Sequence, residues 1–194
     1  WSVLDVQGAD AVRWYFYTGS APWLPSRFSA EAVSEAQRKF MGTLWNTYAF
    51  FVLYADIDKY DPSRYDIKKC KLSLMDKWAL SKLNTLVKTV DEGLAKYKTF
   101  ETARYIQDYV DELSNWYVRR GRERYWGKEM TDDKAAAYTT LYTVLVTLSK
   151  VIAPYVPFMA ESMYLNLVPE FYKDAPMSVH LCSFPECDES FVDA

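Results

Sequence analysis

The chain has 194 residues, half of them apolar, and a formal net charge of −3. This length and apolar content are sufficient for one domain with a full hydrophobic core. Six glycines are too few for a turn-rich all-β protein, and no long segment has a disordered composition. The overall charge excludes a broadly basic protein, but it allows a local surface that binds a polyanion.

Helix signals begin close to the N-terminus. A short helix is predicted over about 10–18, and two prolines after it mark an extended connection. Ser29 is the predicted N-cap of a long helix, whose apolar residues recur every three or four positions as far as about Ala55. A loop over 56–72 follows, because it contains Asp, Pro and several lysines without an apolar period.

Two further amphipathic helices are predicted in the middle of the chain. Ser73 and Asp76 form a capping box in front of a helix that reaches about Tyr97. Thr99 or Thr102 is the predicted N-cap of the next helix, whose apolar stripe ends near the start of an arginine-rich segment.

A fourth long helix is predicted to start after Thr131. Pro154 and Pro157 must bend or break it before it resumes toward Leu167. Beyond it the pattern is irregular, with one predicted strand over 178–183. The fold class is therefore all-α: an antiparallel bundle of four to five long helices with a kinked last helix and a short irregular C-terminal tail.

The helix pattern divides the chain into three predicted parts. Residues 1–28 form a junction helix and connection, 29–168 form the helix bundle, and 169–194 form a closing segment with an acidic tail. The last part carries six carboxylates and one lysine, so 1–168 has a net charge of +2. A polyanion partner is therefore compatible with the bundle.

The segment 119–128 has the most distinctive composition, with five cations against Glu123 alone, a local net charge of +4. Guanidinium groups bind phosphates with planar donor forks, and Tyr and Trp rings can stack on unpaired bases. The segment supplies these candidate RNA-binding residues: Arg119, Arg120, Arg122, Arg124, Tyr125, Trp126 and Lys128.

A structural interpretation of the same segment competes with RNA binding. Arg119, Arg120 and Arg122 could cap the C-terminal end of the third helix and pair with acidic neighbours. In either case we expect Trp116 and Tyr117 to pack in the core. Under the structural interpretation the chain is a helical module that braces other domains or contacts another protein.

Other chemistry is poorly supported. A single histidine and scattered glycines provide neither a nucleophile–base pair close in sequence nor a phosphate-binding loop. His180, Cys182 and Cys187 lie close together, but their spacing matches no compact zinc pattern, so ordinary thiols of a reducing compartment are expected. No run of 18 uninterrupted apolar residues occurs, and no membrane span is predicted.

Several motifs, in the same order, resemble those of the isoleucyl-tRNA synthetase family. The matching segments are Gly8-Ala9-Asp10-Ala11-Val12-Arg13, Leu44-Trp45-Asn46-Thr47-Tyr48, Ser114-Asn115-Trp116-Tyr117-Val118-Arg119-Arg120, Ile152-Ala153-Pro154 and Ser178-Val179-His180-Leu181. The valyl and leucyl families share this architecture, but the Asn-Trp-Tyr-Val-Arg-Arg run favours the isoleucyl one. The chain departs from the resemblance at Gly121, where many members have asparagine.

The resemblance implies a domain that binds the anticodon stem-loop of isoleucine tRNA. The family's full enzyme attaches isoleucine to tRNA using ATP, but its signatures His-Ile-Gly-His and Lys-Met-Ser-Lys-Ser are absent here. Starting at Trp1, the chain is expected to be a non-catalytic internal piece that needs no cofactor, with ATP and any zinc bound by the rest of the enzyme. Arg13 is a further candidate, either contacting tRNA or supporting the junction to the catalytic domain.

The resemblance also implies the partners and the compartment. The expected partners are isoleucine tRNA and the catalytic and editing domains of the same chain. The expected enzyme is a cytoplasmic monomer that does not bind a membrane.

Overall fold

Residues 1–192 are described by the computed structural model of the chain, and in this range helices are joined by turns without a β-strand. The α-helices are α1 (Ser2–Gln7), α2 (Ala9–Thr18), α3 (Ala30–Gln37), α4 (Thr43–Asp58), α5 (Leu74–Ala95), α6 (Thr99–Glu112), α7 (Arg119–Gly121), α8 (Asp132–Ile152) and α9 (Pro157–Leu167). Single π-helical turns, Arg38–Gly42 and Leu113–Val118, follow α3 and α6. The predicted helical bundle is confirmed.

The long helices alternate in direction. A salt bridge of 2.6 Å joins Lys134 at the start of α8 to Asp58 at the end of α4. The first turn of α5 lies at the same end of the bundle, because its Asp76 binds Arg124 just after α7. We call this end, where α4 and α6 end and α5 and α8 begin, the arginine end.

The core is rich in aromatic rings and centres on α8. By length and composition α8 could cross a membrane, but 78% of its most apolar window is buried inside the bundle. Tyr138 of α8 is fully buried and packs edge-on to Tyr125 and face-on to Tyr60, with centroids 4.9 Å away in both cases. The apolar character of α8 is thus explained by its central position in the core.

Most of the predicted helix starts are confirmed by side-chain caps. Ser29 and Thr131 accept hydrogen bonds from backbone N–H groups three residues later, and Ser73 and Asp76 form a complete capping box. The predicted threonine cap of α6 is wrong. Its N-cap residue is Lys98, and the Thr102 hydroxyl bonds to the Tyr155 hydroxyl at 2.6 Å instead.

The predicted proline break is confirmed, and α2 holds it in place. α8 ends at Ile152, and Pro157 occupies the first turn of α9. The Asp10 carboxylate accepts hydrogen bonds from the backbone N–H groups of Met159 at 2.7 Å and Phe158 at 3.4 Å. Backbone donors freed by the break therefore find a partner on another element, as buried polar groups require.

Two further elements differ from expectation. The predicted strand 178–183 is wrong: Val179–Leu181 is a short 3-10 turn. The Ser178 hydroxyl accepts a hydrogen bond from the His180 N–H, and the Val179 N–H donates to the Glu161 carboxylate at 2.8 Å. These local bonds replace a strand ladder. α1 was not predicted from the sequence at all.

Candidate RNA interface

The arginine-rich segment is fixed to two helix starts. The Arg124 guanidinium forms a fork with Asp76 of α5, in which both nitrogen–oxygen distances are 2.8 Å. It also lies 2.9 Å from the Asp133 carboxylate in the first turn of α8. The Arg124 side chain is only 17% exposed and that of Asp76 is fully buried. Arg124 therefore anchors the segment to the bundle and does not present its charge to solvent.

The electrostatics of this ion pair favour the charged forms. Burial alone would raise the pKa of Asp76, but hydrogen bonds from Arg124, Tyr117 and Ser73 outweigh it and lower that pKa below the usual value. Burial acts against the charge of Arg124 as well, yet its bonds to Asp76 and Asp133 raise its pKa. Both partners stay ionised at neutral pH.

Two tyrosines, one within the segment and one just before it, belong to the core. The Tyr117 hydroxyl donates to Asp76 Oδ1 at 2.6 Å, as part of the same buried network. The Tyr125 hydroxyl donates to the Ala137 carbonyl at 3.1 Å, and Tyr125 is 2% exposed. Burial raises the pKa of both phenols. The expected packing of Tyr117 is found, whereas the placement of Tyr125 leaves no free ring face for a base.

Four other cations of the segment are exposed. Within residues 1–192 no carboxylate oxygen lies within 4 Å of their charged nitrogens, so the salt bridges of the structural interpretation are not formed. These cations are Arg119, Arg120, Arg122 and Lys128. We call them the free cations. The exposed carboxylates of Glu123 and Glu129 lie between and beside them in sequence, which limits the positive surface.

Two tryptophans are exposed beside the free cations. Trp126 is 58% exposed, and Trp116 is 53% exposed with the Arg120 guanidinium 4.8 Å from its ring centroid. The expectation that Trp116 packs in the core is wrong. In the π-helical turn Leu113–Val118, residues five apart lie on one face, so Val118 joins Leu113 in the core and Trp116 points outward.

Arg13 lies away from the other candidates. Its guanidinium donates to the carbonyls of Pro154 at 2.8 Å and Tyr155 at 3.0 Å, at the end of α8 opposite the arginine end. It therefore satisfies the carbonyl groups at the proline break, while Asp10 of the same helix satisfies the N–H groups. The structure gives Arg13 an internal role in joining α2 to the bundle.

Sequence reasoning missed the residues that position the segment. Lys134 is buried and donates to the Gly127 carbonyl as well as to Asp58, so it fixes the end of the segment. Asp76 was recognised only as a capping-box residue. Arg124, the partner that it shares with Asp133, is 48 residues from Asp76, and no local pattern signals a pairing over that distance.

The described residues do not fit a metal site. Across 1–192 no three His, Cys, Asp or Glu side chains group so that they could hold an ion. Cys70, Cys182 and Cys187 are free thiols.

Comparison with known proteins identifies the family of the chain. The family model described as the anticodon-binding domain of tRNA ligase matches residues 76–194, and the chain belongs to this family. Its similarity within the family is to isoleucine–tRNA ligases. It is 61% identical over 191 residues to the Clostridium novyi protein and 59% identical over 192 residues to the Clostridium acetobutylicum protein. The resemblance to isoleucyl-tRNA synthetases is thus confirmed.

The chain is short relative to these proteins. The alignments cover 98% and 99% of this chain but 18% of the length of either relative. Among solved structures, the fold is similar to the LeuRS chain of a ternary LeuRS–tRNA–LeuAMS complex from Agrobacterium radiobacter K84. That match has a TM-score of 0.68, covers all of this chain and 21% of the other, and has 16% sequence identity. It supports the fold.

Proposed function

We propose that this chain is the tRNA-binding, non-catalytic part of an ATP-dependent isoleucine–tRNA ligase and that its arginine end contacts the anticodon arm. One observation carries the proposal: the free cations and two exposed tryptophans form one end of a fold from the anticodon-binding family. Cations without internal ion pairs remain available for phosphates, and exposed rings can stack on unpaired bases.

In this proposal each exposed cation and tryptophan of the arginine end has a role in binding RNA. Arg119, Arg122 and Lys128 contact phosphates of the RNA backbone, which fixes its position without reading sequence. Trp126 stacks on a base that is splayed out of the loop, because no described cation covers its ring. Arg120 and Trp116 act together as one stacked platform.

Two of the predicted contact residues support the surface from behind, and a third has an internal role at the opposite end of α8. Arg124 and Tyr125 hold the segment on α5 and α8, and Arg13 holds the proline break. A buried support of this kind reduces the entropy that is lost when the exposed groups bind RNA. Their replacement should lower stability first, and RNA binding only as a consequence.

The alternative of a purely structural module is less well supported. It predicts that the arginines of the segment form internal ion pairs. Among the segment's cations described here, only Arg124 forms such pairs. The proposed partners also include the catalytic and editing domains of the same chain, in a cytoplasmic monomeric enzyme. Three separate free thiols are compatible with the reducing cytoplasm.

The test is a filter-binding titration of the full-length ligase with isoleucine tRNA at several salt concentrations. Replacing Arg119 and Arg122 with alanine should weaken binding and reduce the slope of log K against log salt by roughly one to two. The matched control replaces Arg27 and Arg38, two exposed arginines away from the arginine end that, like Arg119 and Arg122, form no ion pair with a described carboxylate. If both double variants bind equally well, the assignment of the arginine end is wrong.

A further inference from the structure

The turn between α5 and α6 contains a tyrosine in an unfavourable backbone conformation. Tyr97 has a φ of +58°, in the left-handed region. Its N–H donates to the Leu94 carbonyl at 3.0 Å, and the N–H of Lys98 donates to the Gly93 carbonyl at 2.9 Å. This pair of bonds is the usual helix C-terminal motif, in which glycine normally occupies the left-handed position because it has no β-carbon.

The fold gives no reason for a tyrosine at this position. Tyr97 is 91% exposed, and within residues 1–192 its side chain makes no hydrogen bond, ring contact or cation contact. Lys59, which has a similar φ of +53°, at least forms an ion pair with Asp56 at 2.9 Å. Strained residues without an internal benefit are concentrated at functional sites.

The surroundings of Tyr97 indicate the chemistry of its partner. Lys96 and Lys98 are exposed on either side of it, and neither forms an ion pair with a described carboxylate. In the first turns of α6 the exposed Arg104 lies 5.1 Å from the centroid of the Phe100 ring. Lysines that flank an exposed ring are suited to the phosphates and the base of a nucleotide.

We infer that the turn Lys96-Tyr97-Lys98 is a second contact with the same tRNA, in which the Tyr97 ring packs on a nucleotide and the two lysines contact phosphates. The inference rests on the proposed function. α5 has 22 residues, so its two ends are about 33 Å apart. Arg124 is bound at one end and Tyr97 follows the other, and the turn therefore contacts a region of the tRNA separate from the one at the arginine end.

The strain makes a clean experiment possible. In the full-length ligase, Tyr97→Gly removes the ring and relieves the backbone, so the melting temperature should stay the same or rise. Affinity for isoleucine tRNA should fall on the order of tenfold. Tyr97→Phe keeps the ring and should bind like the wild type. Replacing Lys96 and Lys98 with alanine should reduce the salt dependence of binding.

The outcomes separate this inference from the proposed function. If Tyr97→Gly binds tRNA like the wild type while the Arg119 and Arg122 variant binds weakly, the second contact is refuted and the proposed function stands. If neither change weakens binding, the proposed function fails and the second contact fails with it. A lower melting temperature of the Tyr97→Gly ligase, with tRNA affinity unchanged, would instead assign the ring to a contact between protein domains.

Discussion

Residues 116–128 fall into a buried half and an exposed half, and both halves contain arginine and aromatic residues. Tyr117 and Tyr125 are buried and Arg124 is largely so, and their polar atoms are bonded to Asp76, Asp133 and Ala137. The free cations and both tryptophans lie on the outside of the same turns. An arginine–aromatic composition therefore does not by itself define a binding surface. The position of carboxylates on other helices decides which arginines form internal ion pairs and which stay exposed.

The buried half provides what the exposed half needs. Arg124 and Lys134 attach the irregular turns to α5, α8 and the end of α4, so the exposed side chains project from a fixed backbone. Stability and RNA binding should consequently be separable. Changes in the buried half should affect unfolding, and changes in the exposed half should affect tRNA affinity.

Arg124→Ala should give the largest effect. It leaves the fully buried Asp76 carboxylate without its main partner, and loss of one member of a buried pair costs about 3–5 kcal/mol. In a chain of this size that corresponds to a decrease in melting temperature of roughly 10 °C. Urea unfolding of the 194-residue chain would measure it.

Arg119→Ala is the matched control for that experiment. Arg119 is exposed in the same segment, and a surface replacement of this type should change the free energy of unfolding by less than about 0.5 kcal/mol. Similar losses for the two variants would mean that the division between a buried and an exposed half is incorrect.

Tyr117→Phe should give the next largest effect. It removes only the hydroxyl that donates to Asp76 at 2.6 Å, and a hydrogen bond to a charged group contributes about 1.5–3 kcal/mol. Tyr125→Phe removes a bond to a neutral carbonyl and should cost about 1 kcal/mol. Urea unfolding of both variants tests the order, which would be reversed if Asp76 were satisfied without Tyr117.

The sequence predicts local features better than the partners of the segment. The capping residues Ser29, Ser73 and Thr131 were identified because their bonds span only three residues. The orientation of Trp116 was mispredicted, since a regular helical period does not reveal a π-helical turn. The pairing of Arg124 with Asp76 depends on how distant helices pack, which residue spacing does not encode.

The pH dependence of stability should distinguish Asp76 from Asp10, a second carboxylate that is buried among the described residues. Because the pKa of Asp76 is lowered in the fold, its stabilisation is present above the unfolded value of about 4 and is lost as the pH falls through the folded value. Burial raises the pKa of Asp10, so its contribution is present below the unfolded value and lost as the pH rises through the folded one.

Urea midpoints of the wild type, Asp76→Asn and Asp10→Asn between pH 7 and pH 3 would measure this difference. Asp76→Asn should lose less stability on acidification than the wild type, and Asp10→Asn should lose more. Parallel curves for all three proteins would show that neither carboxylate titrates differently in the folded and unfolded chains.

The smallest effect on stability is expected for the Arg120–Trp116 pair. An exposed cation–π contact contributes about 0.5–1 kcal/mol, which a double-mutant cycle with Arg120→Ala and Trp116→Ala can resolve as a coupling energy. A cycle with Arg120 and Trp126 should give no coupling and serves as the control.

Because Arg120 already covers one face of Trp116, Trp126→Ala should lower tRNA affinity more than Trp116→Ala. Zero coupling for Arg120 and Trp116 would make Arg120 an independent cation like Arg119, and the two tryptophans would then contribute equally to binding.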